Sequence, residues 1–178
     1  MPGDARRYAF IASLGAAQSV NDPDPPWIAA QVDLLRDAVS SAVPVLGLCW
    51  GGQALSVAMG GWVGPAARSQ TGWLAVSSTD PDVPEGPWLH YHYETFTVPP
   101  GAVELARSPA GPAAFRAGRN LGLQFHPEAT ATMGEIWGHS DPNRSRAGVQ
   151  ALASEGARLE GAARMQAFAL FDAWYRTV

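Results

Sequence analysis

The sequence predicts an α/β fold built on a parallel sheet. Two observations carry this. Short apolar runs alternate with a segment of helical periodicity over the first sixty residues, and a glycine-flanked cysteine stands where a strand gives way to a helix. The run Tyr8 to Leu14 reads as a buried strand closed by Gly15. A polar loop from Gln18 to Asp22 leads to Pro23 and the pair Pro25-Pro26. From Trp27 to Ser41, Ile28, Val32, Leu35, Ala38 and Val39 recur at helical spacing. Pro44 to Leu48 is a second short buried strand, with Cys49 at its end. Gly51-Gly52 then opens a helix that runs to Met59 and stops at Gly60-Gly61.

The middle of the chain changes character. Trp73 to Ser77 reads as a strand, followed by the turn-rich Asp80-Pro81-Asp82. Trp88 to Val98 alternates aromatic and polar residues in an extended segment. Val103 to Ser108, Ala113 to Arg116 and Leu121 to Phe125 read as strands divided by Gly/Pro turns, an antiparallel ribbon leading into the last site strand. Ala147 to Tyr175 is Ala-rich and helical, weakened locally by Gly156 and Gly161.

A chain of 178 residues predicts one domain, 1–178, with one core. The net charge is −4, lysine is absent and the arginines are scattered, which excludes a nucleic-acid footprint. No apolar run is long enough for a membrane span, and Met1 to Arg7 is too short and polar for a secretory signal. One cysteine makes no internal disulfide, so a reducing cytoplasm is the expected compartment.

Gly47-Leu48-Cys49-Trp50-Gly51-Gly52-Gln53 is the most informative segment. A nucleophile at a strand-to-helix elbow is held in a strained backbone and needs small neighbours. The Trp50 amide and the positive end of the next helix would face the reaction centre and favour a thiolate and an oxyanion. A small cysteine packed as an apolar residue is the competing reading, and the flanking glycines outweigh it. Such a nucleophile needs a histidine held by an acceptor. His126-Pro127-Glu128 offers both. In an extended segment His126 and Glu128 share one face, so His126 can face Cys49 while Glu128 accepts from its other nitrogen.

These residues resemble class I glutamine amidotransferases. Gly47 to Gln53 is similar to the G-x-C-x-G-x-Q signature, and Phe125 to Glu128 to the second signature. The continuation into Ala129-Thr130 and the His90 to Pro100 region resemble the GMP-synthase-like branch. The resemblance implies a three-layer, flavodoxin-like fold with a mostly parallel central sheet. It also implies attack of Cys49 on the glutamine carboxamide, proton transfer by His126, and orientation of His126 by Glu128. Leu14 to Ser19 stands where the family has a Gly-Gly-Pro-like oxyanion loop. Gly15 matches, and Ala16 would supply the second oxyanion donor beside Trp50. Gln53, Gln70, Gly72 and Trp73 match positions lining the glutamine site. His92-Tyr93-Glu94 resembles a His-Gly-Asp segment whose acid receives the substrate amino group, a role that falls to Glu94.

Family members usually carry further elements before the oxyanion loop, and this chain begins almost at that loop. The shortened side leaves an exposed sheet edge that a synthase or ligase partner, or a second copy, would cover. A truncated reading frame or a trimmed fold would also account for it. His90 and His92 are two apart, but no acidic or cysteine cluster completes a metal site, and no cofactor is expected. The seven tryptophans read as core and pocket wall, and Trp50, next to the nucleophile, should border the pocket. No phosphate-binding loop is present, so the ammonia acceptor would be activated elsewhere. Three functions follow: a glutaminase feeding a separate synthase, a stand-alone hydrolase of γ-glutamyl amides or peptides, and a non-catalytic partner-binding subunit. Asp141 to Arg146 reads as a polar surface loop.

Overall fold

The structure is a computed structural model that describes residues 3–178; Met1 and Pro2, at the head of the polar N-terminal segment, lie outside the described residues. The first apolar run forms β1 (Ile11–Ser13), shorter than expected. Tyr8 and Phe10 precede it and remain exposed, with Phe10 edge-on to Trp174 at 5.5 Å. α1 (Pro26–Ser40) has proline in its first turn, where no N–H is needed, and buries Ile28, Val32, Leu35 and Ala38. β2 (Val45–Leu48) pairs in parallel with β1, and α2 (Trp50–Ala58) follows after Cys49 alone.

β3 (Val63–Leu74) and β5 (Trp88–Phe96) form a two-stranded antiparallel sheet of their own, while β4 (Ser77–Ser78) joins the main sheet. The expected strand Trp73–Ser77 is therefore corrected. Its start belongs to the end of β3, and the chain leaves the strand before Ser77. The early half of β3 is hidden from a periodicity argument by Gly64-Pro65, and Pro65, which has no donor, sits at the edge of a register shift ending at Gln70.

β6 (Val103–Ser108), β7 (Gly111–Ala117) and β8 (Asn120–Leu123) make the antiparallel ribbon that the sequence predicts. The main sheet runs β1-β2-β8-β7-β6-β4. Among the described residues only β1–β2 and β2–β8 pair in parallel. The sheet is mixed rather than mostly parallel, because tight turns between β6, β7 and β8 can join only antiparallel neighbours. Alternation of side chains builds three layers. Val45 and Phe115 meet Leu35, Ala38 and Leu55 of α1 and α2 on one face. Leu46, Leu48, Leu121 and Leu123 meet Ala167 and Leu170 on the other.

Those last two residues belong to α4 (Arg146–Tyr175), capped by Ser145, whose hydroxyl accepts from Gly148 N–H at 3.1 Å. The preceding α3 (Ala131–Ser140) is not predicted by the sequence pattern. Two glycines in ten residues mask it, yet Thr130 caps it by accepting from Met133 N–H at 3.2 Å. Gly156 is a packing position rather than a weakness: a Cβ there would lie 2.8 Å from Trp73 Nε1 and 3.0 Å from Ala131.

Candidate active site

Cys49 terminates β2 and caps α2 with φ 51° and ψ −107°, a left-handed conformation that costs a non-glycine residue energy. Its surroundings explain how the strain is held. The Cys49 N–H donates to Leu123 O at 2.8 Å, and its carbonyl accepts from Gln53 N–H at 3.0 Å. The glycines are spacers. A Cβ on Gly47 would lie 2.5 Å from Gly51 O, one on Gly51 2.0 Å from Ser13 O, and one on Gly52 2.3 Å from Leu123 O. The elbow is thus clamped between β1 and β8, and the unpaired first-turn N–H groups of α2 begin beside the sulfur.

His126 is positioned by backbone: its N–H donates to Leu89 O of β5 at 2.9 Å. Its Nδ1 lies 2.7 Å from Glu128 Oε1, and its ring shares the cleft lining with Cys49. The expected extended geometry is corrected here. Residues 126–129 form a turn, with Ala129 N–H donating to His126 O at 3.3 Å, and this turn brings Glu128 back under the imidazole. Burial disfavours the imidazolium, but attraction to the Cys49 sulfur and the Glu128 carboxylate, with the hydrogen bond to Glu128, prevails and raises the pKa to about 10. Trp137 covers the ring at 4.7 Å. Glu128→Gln removes one source of that rise. The His126 imidazole is expected to titrate at a lower pH in the variant, followed by nitrogen NMR; an unchanged midpoint would mean that Glu128 does not set the charge.

A cleft of about 720 Å³ opens over these groups. Gly15, Ala16, Trp50, Gln53 and Glu94 all line it. Gly15 has a specific reason to be glycine: a Cβ there would come within 2.9 Å of His126 Cε1. Gln70, Gly72 and Trp73 do not line it. Gln70 accepts from Ser108 Oγ at 2.7 Å, Gly72 pairs with His90 in the middle of the small sheet, and Trp73 packs with Leu89, Ala129 and Leu152. Their stretch is the far end of β3, paired with β5. Asp141 is no plain surface residue either, since Tyr91 and Tyr93 both donate to its Oδ2 at 2.8 Å within the cleft wall. Among the described residues no three His, Cys, Asp or Glu side chains converge to hold a metal.

An aligned sulfur, imidazole and carboxylate beside a helix N-terminus can perform acyl transfer through a covalent intermediate. The comparisons agree with that class. Residues 18–136 match the family described as Glutamine amidotransferase class-I. The chain belongs to this family. It is 36% identical over 130 residues to a GMP synthase [glutamine-hydrolyzing] of Thermomicrobium roseum, covering 68% of this chain and 24% of that protein. It is 32% identical over 149 residues to the Thermus thermophilus protein of the same name, covering 74% and 28%. The chain thus spans about a quarter of the length of these curated relatives. A crystal structure of a glutamine amido transferase from Methylobacillus flagellatus superposes with TM-score 0.86 at 29% identity, covering 100% of this chain and 80% of that one.

Beneath the sulfur, this amidotransferase domain has a buried polar floor that sequence reasoning missed. Gln124 Nε2 lies 3.9 Å from Cys49 Sγ, and Gln124 Oε1 accepts from Gln53 Nε2 at 3.4 Å. Gln53 Nε2 also donates to Glu94 O at 3.3 Å, which His92 Nδ1 approaches at 2.9 Å. A carbonyl only accepts, so His92 carries its proton on Nδ1, and its Nε2 accepts from His90 Nδ1 at 3.3 Å. Both rings are neutral. Burial lowers His90 to about 3, helped by His92 and His126, and lowers His92 to about 4.

Depressed histidine values stabilise the fold fully above the unfolded value near 6.5. That stability is lost as pH falls toward 4 and 3, because the unfolded chain binds the protons first. Each ring is expected to remove on the order of 2 kcal/mol between pH 7 and 4.5. Urea unfolding at both pH values measures this, and His90→Gln should flatten the dependence. Equal slopes in the two proteins would contradict the assignment.

Proposed function

We propose that the protein is a glutaminase of the class I amidotransferase family that hydrolyses the side-chain amide of glutamine and hands ammonia to a separate synthase or ligase. The observation that carries this is the alignment of Cys49, His126 and Glu128 at the floor of an open cleft, with Nδ1 of His126 2.7 Å from Glu128. Cys49 attacks the carboxamide carbon, and the amide N–H groups of Trp50 and Ala16 receive the oxyanion. His126 protonates the departing ammonia, leaving a thioester. It then takes a proton from water, which adds to the thioester and releases glutamate and the sulfur. Glu128 holds the imidazole, and Glu94 receives the substrate α-amino group. The partner is suggested by the relatives, which are GMP synthases. The lone cysteine fits action in a reducing cytoplasm.

A second reading rests on the size of the cleft. Glutamine fills roughly 200 Å³ at the packing density of a protein interior, against about 720 Å³ here. The space suits a γ-glutamyl amide bearing a larger amine, hydrolysed without transfer. Incubation of the pure protein with glutamine and with γ-glutamyl amides, measuring glutamate release, separates the two. Turnover of glutamine is expected. Turnover of the amides alone would replace the first reading by the second, and no turnover of either would leave a partner-binding role.

A further inference from the structure

The cleft has a polarity that its chemistry at the sulfur does not require. Three carboxylates line it, those of Glu94, Glu128 and Asp141, and among the described residues no arginine lines it. Glu128 is committed to His126. Glu94 is held from the other side by Ser19, whose hydroxyl lies 2.9 Å from both carboxylate oxygens. Asp141 is left over. Its Oδ2 accepts from Tyr91 and Tyr93 at 2.8 Å each, and its Oδ1 accepts from Asn143 N–H at 2.9 Å. Among the described residues it makes no ion pair. The charge of Arg144 reaches Asp141, but Arg144 makes no ion pair with it and does not line the cleft. Its guanidinium donates to Thr71 O and Gly148 O at 3.1 and 3.0 Å and covers the Tyr91 ring at 5.7 Å.

Asp141 is connected to the reaction centre by aromatic surface. Trp137 lies 4.7 Å from the His126 ring, Tyr91 lies 6.2 Å from Trp137, and the Tyr91 hydroxyl ends on Asp141. The imidazole that would protonate a departing amine is therefore the first member of an aromatic wall that ends in a carboxylate. At its far end the Tyr91 and Tyr93 rings and the Asp141 carboxylate attract a cation through ring quadrupoles and a fixed negative charge.

We infer that Tyr91, Tyr93, Trp137 and Asp141 form a leaving-group subsite for an amine that carries a second, free ammonium group. The substrate class is a γ-glutamyl monoamide of an aliphatic diamine. This rests on the γ-glutamyl amide reading above. The bond balance is that of hydrolysis. The Cys49 sulfur bonds the carbonyl carbon of the γ-carboxamide, the C–N bond breaks, and His126 delivers the proton to the diamine nitrogen. Water then cleaves the thioester, giving glutamate and the free diamine.

The test compares two nearly isosteric substrates, the γ-glutamyl amide of 1,4-diaminobutane and neutral γ-glutamyl pentylamide. In the parent protein at low salt, kcat/KM is expected to favour the diamine amide by roughly tenfold, a ratio that shrinks as salt rises. Asp141→Asn, checked for folding by circular dichroism, should collapse the ratio toward one. Because the parent's ratio and its salt dependence are read without any variant, a misfolded Asp141→Asn would not rescue the idea. Turnover of both amides at equal rates would overturn the cationic subsite and leave γ-glutamyl amide hydrolysis standing. Turnover of glutamine with neither amide would overturn both.

Discussion

Cys49→Ser is expected to lower glutamate release from glutamine by roughly four orders of magnitude or more, with an unchanged fold. Serine is close in size and fits the same elbow, where Cys49 is 6% exposed and caps α2 at φ 51°. The loss comes from the reacting atom. An alkoxide is far harder to form than a thiolate. Removing the sulfur should also lower the His126 pKa from about 10, since attraction to that sulfur is the largest cause raising it. Rate and titration together distinguish a nucleophile from a buried structural thiol. Retained activity would refute the proposed mechanism, and lost activity with an unchanged His126 midpoint would separate the two groups.

Gly51→Ala is expected to destabilise the protein by about 3 kcal/mol or more. Two effects oppose each other here. Alanine is the better helix former by about 1 kcal/mol. Its Cβ, however, would stand 2.0 Å from the carbonyl oxygen and 2.5 Å from the carbonyl carbon of Ser13. Both are backbone atoms of β1, so no side-chain rotation relieves the contact, and the clash wins. α2 or the three-residue β1 must move. Either shift separates Cys49 from the Gly15-Ala16 loop, so the proposed glutaminase activity should fall with stability. Thermal unfolding should show a midpoint lowered by about 6–12 °C. A midpoint within about two degrees of the parent would mean that the elbow can accommodate a methyl group without the strand or the helix giving way.

What could be read from the sequence was whatever leaves a compact local mark. The elbow was legible because Gly47, Gly51 and Gly52 crowd around Cys49 in the sequence, although the contacts that require Gly51 and Gly52 reach Ser13 and Leu123. The ribbon from Val103 to Leu123 was legible because Gly and Pro mark its turns. Parallel pairing around β2 follows from the alternation of strand and helix, but the antiparallel half outweighs it in the finished sheet. Positions set by long-range register were not legible. Gln70, Gly72 and Trp73 lie in a strand whose first half lacks alternation, and only pairing with His92, His90 and Leu89 fixes which way they face. Gln124 touches Cys49 across 75 residues, and nothing local marks it. α3 and the Asp141 corner were hidden by glycines and polar residues that owe their places to packing against β5 and α4.

Three of the tryptophans frame the site. Trp50 lines the cleft with Trp27 at 5.2 Å behind it, and Trp137 leans on the His126 ring. The others are spread through other parts of the molecule, from exposed Trp62 to buried Trp88. Trp137 stands where its emission is expected to respond to the charge on one imidazole, so a change in protein fluorescence when the cleft is occupied would be read without a label and without turnover.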